Sequence, residues 1–138
     1  MAREVFVDAG AWIAVINQRD EYHAEAVAFH ERLLREKRPL VTTNLVIAEA
    51  YAIIRRYSGY HPAIGFLDSI RQSSRLTRIY SDAVLEVEAE KTLRRYTDQD
   101  FSLADAVSFL IMQQHHITEA FAFDSHFATA GFVVVPPV

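Results

Sequence analysis

The segment "VFVDAGAWIAVI", residues 5 to 16, joins a short apolar strand to a short helix through the carboxylate of Asp8. The same order returns near the other end of the chain, where "EAFAFDSHFAT", residues 119 to 129, places Asp124 between a strand and a helical turn. In an open parallel sheet, the carboxyl ends of the strands line the ligand crevice. The two segments therefore predict an α/β fold with acids at that edge.

Between these two segments, apolar stretches of strand type alternate with stretches of helical spacing. Strands are predicted at residues 4–7, 39–43, 76–80, 119–124 and 132–135. Helices are predicted at residues 11–16, 22–37, 45–57, 61–72 and 81–96, from residue 102 onward, and at 125–129. Thr43 or Asn44 is the predicted cap of the third helix, and Ser81 that of the fifth. Right-handed crossovers then give a mainly parallel sheet with helices on both faces, in one domain spanning residues 1–138.

Composition restricts the class of protein. The chain has no cysteine, which excludes disulfides and thiolate metal sites, and a net charge of −4, which disfavours nonspecific binding of nucleic acid through bulk charge. The N-terminus lacks the pattern of a signal peptide, and no apolar run approaches the ~20 residues that span a bilayer. We therefore expect a cytoplasmic protein without a membrane partner.

Two further acids interrupt apolar helical stretches: Glu49 in "LVIAEAYAII" and Asp105 in "LADAVSFLIM". Local explanations exist for three of the four acids. Asp8 and Asp124 have the position of helix N-caps, and Ser102 with Asp105 has the spacing of a capping box. Sequence alone leaves these structural roles open beside any functional one.

Glu49 has no such local explanation, because it lies too deep in its helix to cap it. No basic residue stands three or four positions away, so a structural partner would have to come from elsewhere in the chain. A buried carboxylate must be paired, protonated or bound to a metal. If the four acids converge, their repulsion is relieved by a hard divalent cation, Mg²⁺ or Mn²⁺. Such a site supports metal-assisted phosphodiester hydrolysis.

The order Asp, Glu, Asp, Asp resembles the PIN-domain nucleases, most closely the VapC-like toxins of toxin–antitoxin pairs. The matching stretches are "VFVDAGAWIAVI", "TTNLVIAEAYAIIRR", "FSLADAVSFLIMQQHHI" and "AFAFDSHFATAGFVVV". The resemblance implies a Rossmann-like sheet of about five parallel strands and an Mg²⁺- or Mn²⁺-dependent endoribonuclease. It assigns Asp8, Glu49, Asp105 and Asp124 to the metal and catalytic site. It also implies a homodimer, an RNA substrate and a cognate antitoxin.

Other residues near these motifs allow more than one role. Arg55, Arg56 and Tyr57 are candidate RNA contacts, and binding of the antitoxin or a second subunit by this helix is the alternative. Asp98 and Asp100 are interpreted as loop residues rather than ligands of a second ion. His126 is interpreted as a surface residue rather than a contact to RNA phosphate.

The competing functions are a catalytically weak PIN-fold binding module, an RNA-processing nuclease that is not a toxin, and a receiver-type domain. A receiver-type domain needs a lysine near the last strands, and the only lysines are Lys37 and Lys91. A binding module has no need of four acids. The non-toxin nuclease differs only in its partner, which a neighbouring antitoxin gene would reveal.

Overall fold

The structure is a computed structural model that describes residues 3–137. Its strands are β1 (Val5–Val7), β2 (Leu40–Thr43), β3 (Leu76–Ile79), β4 (Glu119–Phe121) and β5 (Val133–Val135). Its helices are α1 (Ala9–Ile16), α2 (His23–Arg35), α3 (Asn44–Ser58), α4 (Tyr60–Gln72), α5 (Ala83–Arg95), α6 (Leu103–Gln114) and α7 (His126–Thr129). The predicted α/β class is confirmed, with five strands and seven helices in the predicted order. The predicted domain ends, residues 1 and 138, lie outside the described residues.

The five strands form one sheet in the order β3-β2-β1-β4-β5, and every neighbouring pair is parallel. From β1, the chain first adds β2 and β3 on one side of β1 and later adds β4 and β5 on the other side. The strand order therefore reverses between β1 and β4. Ligands of open α/β sheets bind at such a switch point, outside the carboxyl ends of the strands. Asp8 directly follows β1, so the fold places this carboxylate at the switch point.

The register of β1 and β4 shows how the sheet is covered on both faces. Phe6 is in register with Ala120 and Val7 with Phe121, so Phe6 and Phe121 point to opposite faces of the sheet. The Phe121 ring packs against Phe29 of α2, with 5.0 Å between ring centroids. The Phe6 ring packs against Phe127 of α7, at 6.0 Å. Accordingly, α1 to α4 pack among themselves on one side, and α5, α6 and α7 pack on the other.

Local details differ from the sequence-based expectations at two places. The predicted Ser81 cap of α5 is wrong: the N-cap is Asp82, whose Oδ1 accepts a hydrogen bond from the Leu85 amide at 2.8 Å. Strand β4 ends at Phe121, so Asp124 lies beyond the strand rather than at its last position. The Thr43 cap of α3 is confirmed, since its hydroxyl accepts from the Val46 amide at 3.2 Å.

Among residues 3–137, no helix is both long enough and apolar enough to cross a bilayer.

Candidate active site

Asp8 occupies the centre of the switch point and is 4% exposed. Its backbone is fixed on both sides, because the Asp8 amide donates to the Phe121 carbonyl at 3.0 Å and the Asp8 carbonyl accepts from the Ala11 amide at 3.1 Å. Asp8 is the N-cap residue of α1, but its side chain makes no cap hydrogen bond. Asp8 therefore has the predicted N-cap position, without the side-chain hydrogen bond that a cap usually makes.

Asp105 is 6% exposed and enters the site from the first turn of α6. The predicted capping box is present: the Asp105 amide donates to the Ser102 hydroxyl at 3.0 Å, and the Ser102 amide donates to Asp105 Oδ2 at 3.0 Å. The same Oδ2 receives a second hydrogen bond from His126 Nδ1 at 2.8 Å. Both structural bonds therefore engage Oδ2, and Oδ1 is engaged by neither.

Asp124 begins the turn that leads into α7. Its Oδ1 accepts a hydrogen bond from the His126 amide at 2.9 Å, which is a local turn rather than a helix cap, because the N-cap of α7 is Ser125. Asp124 is exposed, and its Oδ2 takes no part in the hydrogen bond from the His126 amide. Asp124 therefore combines a local hydrogen bond with an oxygen that is open to a ligand.

Glu49 lies on the second turn of α3, and its position corrects the sequence-based argument. We expected a buried carboxylate, but Glu49 is exposed. Its carboxylate has no hydrogen-bond or ion-pair partner among the described residues. Partial desolvation, and then the charges of Asp105 and Asp124, raise the pKa of Glu49. Partial desolvation, with a smaller contribution from two neighbouring acids, therefore distinguishes this carboxylate.

The charges of the other three acids act on the buried carboxylate of Asp8. Burial is the largest cause that raises the pKa of Asp8 from 3.8 to about 7, and repulsion from Asp124, Asp105 and Glu49 adds to it. A hydrogen bond from the Ala9 amide lowers this pKa and offsets only part of the increase. Convergence of the predicted quartet therefore has an electrostatic signature, although the acids come from four separate parts of the chain.

The donor atoms suit a hard divalent cation. All four side chains offer carboxylate oxygens, which Mg²⁺ and Mn²⁺ prefer, and each acid keeps an oxygen that the hydrogen bonds described above do not use. Within residues 3–137, no three acidic or histidine side chains lie close enough together to form a ready metal-binding cluster. The residues fit such an ion in number and chemistry, and the spacing of the quartet would have to tighten around it.

His126 is the site residue that sequence reasoning missed. It was interpreted as a surface residue, but its imidazole is hydrogen-bonded to Asp105 and lies edge-on to Phe101, with 5.4 Å between ring centroids. Burial disfavours its protonation, yet the hydrogen bond to Asp105 and the charges of Asp105, Asp124 and Asp100 together raise the pKa of His126. The signal in the sequence was the spacing, because a histidine two residues after a turn-forming acid is held next to it.

The remaining candidates lie around this centre. Asp98 and Asp100 are exposed residues of the loop before α6, which agrees with the loop interpretation. The negative charge of Asp100 contributes to the raised pKa of His126. Arg55, Arg56 and Tyr57 occupy the last turns of α3, on the exposed surface. The Arg56 guanidinium lies 5.5 Å from the centroid of the Tyr57 ring, and the Arg55 guanidinium 5.6 Å from that of Tyr60.

Comparisons with known proteins agree with this architecture. Residues 5–133 match the PIN domain family. The chain is 36% identical over 134 residues to the 23S rRNA-specific endonuclease VapC20 of Mycobacterium tuberculosis, an alignment that covers 96% of this chain and 98% of VapC20. The crystal structure of M. tuberculosis VapC20, described as a sarcin–ricin loop cleaving toxin, superposes with a TM-score of 0.86 at 34% identity, covering 96% of this chain and 99% of that one.

A more distant structure shares the fold alone. VapBC2 from Rickettsia felis, bound to a DNA fragment from their promoter, aligns with a TM-score of 0.65 at 13% identity, over 95% of this chain and 96% of that one. The predicted family is confirmed by the match to the PIN domain and by the similarity to VapC20 along nearly the whole length of both chains. The chain therefore belongs to the PIN-domain family, as a close homologue of the toxin endonuclease VapC20.

Proposed function

We propose that this chain is an Mg²⁺- or Mn²⁺-dependent endoribonuclease that hydrolyses RNA phosphodiester bonds at Asp8, Glu49, Asp105 and Asp124. We propose further that it is the toxin of a type II toxin–antitoxin system. Its homologue VapC20 is an rRNA-specific endonuclease, and the similarity covers nearly the full length of both proteins. The activity predicted from the sequence is therefore the activity of a relative with the same fold.

The observation that carries the proposal is the buried carboxylate of Asp8 at the switch point of the sheet, on which the charges of Asp124, Asp105 and Glu49 act. Without a cation, Asp8 keeps its proton up to about pH 7, since burial and three neighbouring acids oppose its charge. A fold gains no stability from such an arrangement, because uncompensated buried charge is costly. The arrangement favours a bound cation and, through it, a negatively charged substrate.

Each acid has a distinct part in this proposal. Asp8 and Asp105 are buried and held by the backbone and the capping box, so they fix the floor of the site. Glu49 and Asp124 are exposed and form its rim, where the phosphodiester of the substrate arrives. A bound divalent ion would supply a water of lowered pKa and would stabilise negative charge on the phosphoryl and leaving oxygens.

The end of α3 provides a surface for the RNA strand. Arg56 follows Glu49 by seven residues, which places the two side chains on the same face of the helix, about 10 Å apart along its axis. Tyr57 is 65% exposed, so its ring is available to stack on an unpaired base while Arg55 and Arg56 contact phosphate. We therefore propose Arg55, Arg56 and Tyr57 as RNA contacts leading toward the acids.

The toxin assignment requires an antitoxin. The structurally similar VapBC2 from R. felis is described together with its promoter DNA, which supports a paired, promoter-bound system for proteins of this fold. We propose a cognate antitoxin and a homodimeric toxin for this chain, and the cytoplasmic location stays a prediction. Co-expression with a small neighbouring reading frame, followed by size-exclusion chromatography with light scattering, tests both. A monomer that purifies without its neighbour would contradict them.

The catalytic proposal is tested by cleavage. Purified wild-type protein is incubated with a sarcin–ricin loop oligonucleotide and with total RNA, in Mg²⁺, in Mn²⁺ and in EDTA. Asp8→Asn is the test variant, because the Asp8 side chain makes no cap bond. Asp68→Asn, an exposed acid on α4, is the matched control.

We expect metal-dependent cutting by wild type and by Asp68→Asn, and loss of cutting by Asp8→Asn. Cutting in EDTA, or equal cutting by Asp8→Asn, would contradict a carboxylate metal site. If wild type binds Mn²⁺ but cuts neither RNA, the binding-module alternative gains and the nuclease proposal fails.

A further inference from the structure

A cavity of about 350 Å³ opens beside Asp124, next to the carboxyl ends of β4 and β5. Its walls come from the start of α2, the start of α7 and the residues after β5, including Tyr22, Glu25, Ala128, Pro136 and Pro137. This volume is at the lower end of the range of small-molecule sites, roughly 300–1,000 Å³. The cavity can therefore hold one small, compact group directly next to an acid of the proposed active site.

The walls of this cavity are flat and mostly apolar. The Tyr22 and Phe123 rings stack in parallel, with 4.6 Å between centroids and 7° between planes. Pro136 and Pro137 add two further rings to the lining. Apolar and aromatic surfaces of this kind accept unstacked bases, because single-stranded RNA is recognised by stacking and by contacts to base edges.

One charged side chain other than Asp124 lines the cavity, and it is Glu25. A carboxylate only accepts hydrogen bonds, so its partner on a base must be an N–H group. Every base offers such a group to an unstacked contact, because cytosine, adenine and guanine carry exocyclic amines and uracil carries its ring N3–H. Glu25 can therefore accept a hydrogen bond from the edge of a base held in the cavity.

The cavity continues into a second depression of about 430 Å³ along α2. The two share Glu25, Pro136 and Pro137, and the second adds Arg32 and Arg35 on the exposed face of the helix. Arg32 Nε donates to Glu36 Oε2 at 2.9 Å, so its remaining N–H groups and Arg35 form the basic end of the groove. The groove thus runs from carboxylates, through an apolar middle, to guanidinium groups. This order matches a nucleotide strand whose reacting phosphate lies at the acids and whose next phosphates lie among arginines.

We propose that the cavity binds one unstacked base of the RNA substrate next to the proposed active site, with Glu25 as the acceptor for an N–H group on its edge. Arg32 and Arg35 contact the phosphates that follow. This proposal rests on the proposed ribonuclease function, because the groove is interpreted from its continuity with Asp124. It adds a contact to a base that the four acids cannot supply.

Binding and cleavage test this proposal separately. Ala128→Leu fills the cavity, and Glu25→Gln replaces a side chain that only accepts by an amide that both donates and accepts. The matched controls are Ala24→Leu and Glu31→Gln, exposed residues of α2 that do not line the cavity. The first readout is the fluorescence of 2-aminopurine within a short single-stranded RNA, titrated with protein in EDTA at low salt. The second is sequencing of the ends produced from a randomised RNA pool in Mg²⁺.

We expect 2-aminopurine fluorescence to change on binding to wild type, and Ala128→Leu to weaken that binding about tenfold. Wild type should show a base preference at one position near the cut, and Glu25→Gln should change this preference about tenfold, in line with the usual value of one base contact. Both controls should behave as wild type.

Unchanged binding and unchanged cleavage preference in Ala128→Leu and Glu25→Gln would overturn the proposal and leave the groove as a protein-docking surface. Absence of any 2-aminopurine signal with wild type would also overturn it. Cavity-dependent binding by a protein that cuts no RNA would support the base site and refute the ribonuclease function. RNA cleavage with a base preference that neither Ala128→Leu nor Glu25→Gln alters would support the ribonuclease function and refute the base site.

Discussion

The imidazole Nδ1 of His126 lies 2.8 Å from Oδ2 of Asp105, the oxygen that also closes the capping box of α6. Two donors therefore hold one carboxylate oxygen, and the second oxygen of Asp105 is oriented as a result. Partners of this kind orient the ligands of metal sites and tune their affinity. The bond joins α6 to the turn that carries Asp124, and so it couples two of the four acids.

We expect His126→Ala to weaken Mn²⁺ binding by roughly 10- to 100-fold, because Asp105 loses the donor that orients it. At saturating Mn²⁺ most of the cleavage rate should return, since His126 positions an acid and is not itself a ligand. Calorimetric titration with Mn²⁺ and the metal dependence of RNA cleavage measure the two effects. His115→Ala, an exposed histidine at the end of α6, is the control. A rate that stays low at saturating metal would mean that His126 touches the substrate.

Asp8→Asn should stabilise the metal-free protein in a pH-dependent way. The pKa of Asp8 is about 7 in the folded chain, above the value of about 3.9 in unfolded chains. Asp8 therefore contributes stability that is complete below about pH 4 and is lost as pH rises toward 7. The asparagine variant has no such loss, so its advantage over wild type should grow across this range to more than about 1 kcal/mol at pH 8.

Urea unfolding in EDTA between pH 4.5 and pH 8 measures this difference. Asp68→Asn, on the exposed face of α4, should follow wild type at every pH. Addition of Mn²⁺ at pH 8 should stabilise wild type more than the Asp8→Asn variant, because ligand binding to the folded state adds to its stability. An advantage of Asp8→Asn that is equal at both ends of the pH range would contradict the assignment of the raised pKa.

Arg56→Ala should reduce affinity for single-stranded RNA without abolishing cleavage at high substrate concentration. Loss of one phosphate contact lowers the salt slope of binding by about 0.7 for single strands. Fluorescence anisotropy with a labelled RNA at several salt concentrations gives both the affinity and the slope. Arg94→Ala on α5, which belongs to the opposite face of the sheet, is the matched control. An unchanged slope would place the RNA elsewhere and favour a protein partner for the end of α3.

Alanine substitution of two glycines, one within α4 and one between α3 and α4, should change the free energy of unfolding in opposite directions. A Cβ on Gly65, inside α4, meets nothing within 4 Å, so Gly65→Ala should stabilise the protein by about 0.8–1 kcal/mol through helix propensity. Gly59, between α3 and α4, has φ of 96° and ψ of −179°, a region that is nearly restricted to glycine. Gly59→Ala should therefore destabilise by about 1–3 kcal/mol. Thermal and urea unfolding of both variants decide the signs.

The periodicity of the sequence was enough to predict the order of strands and helices. Asp8 and Asp124 were expected at the carboxyl edge of a parallel sheet because each follows an apolar strand, and Asp8 does lie at the switch point. The pairing of β1 with β4, which creates that point, was not predicted. Partner strands are distant in the sequence, and the periodicity of one strand carries no information about its neighbour.

The environment of individual side chains was harder to predict. Glu49 was expected to be buried because apolar residues surround it in the sequence, but it lies on an exposed position of α3. His126 was expected at the surface because nothing in the sequence joins it to Asp105, which is 21 residues away. Both errors have one cause: solvent access and contacts between distant residues depend on how the helices pack on the sheet.

Asp105 belongs both to the capping box of α6 and to the proposed metal site. Selection should therefore act differently on the four acids. Its carboxylate helps begin α6, so a lineage that gives up catalysis would still be selected to keep it for folding. Glu49 offers the fold nothing comparable, since it is exposed and makes no hydrogen bond or ion pair among the described residues. In descendants that persist only as binding proteins, Glu49 should be the first acid to drift and Asp105 the last.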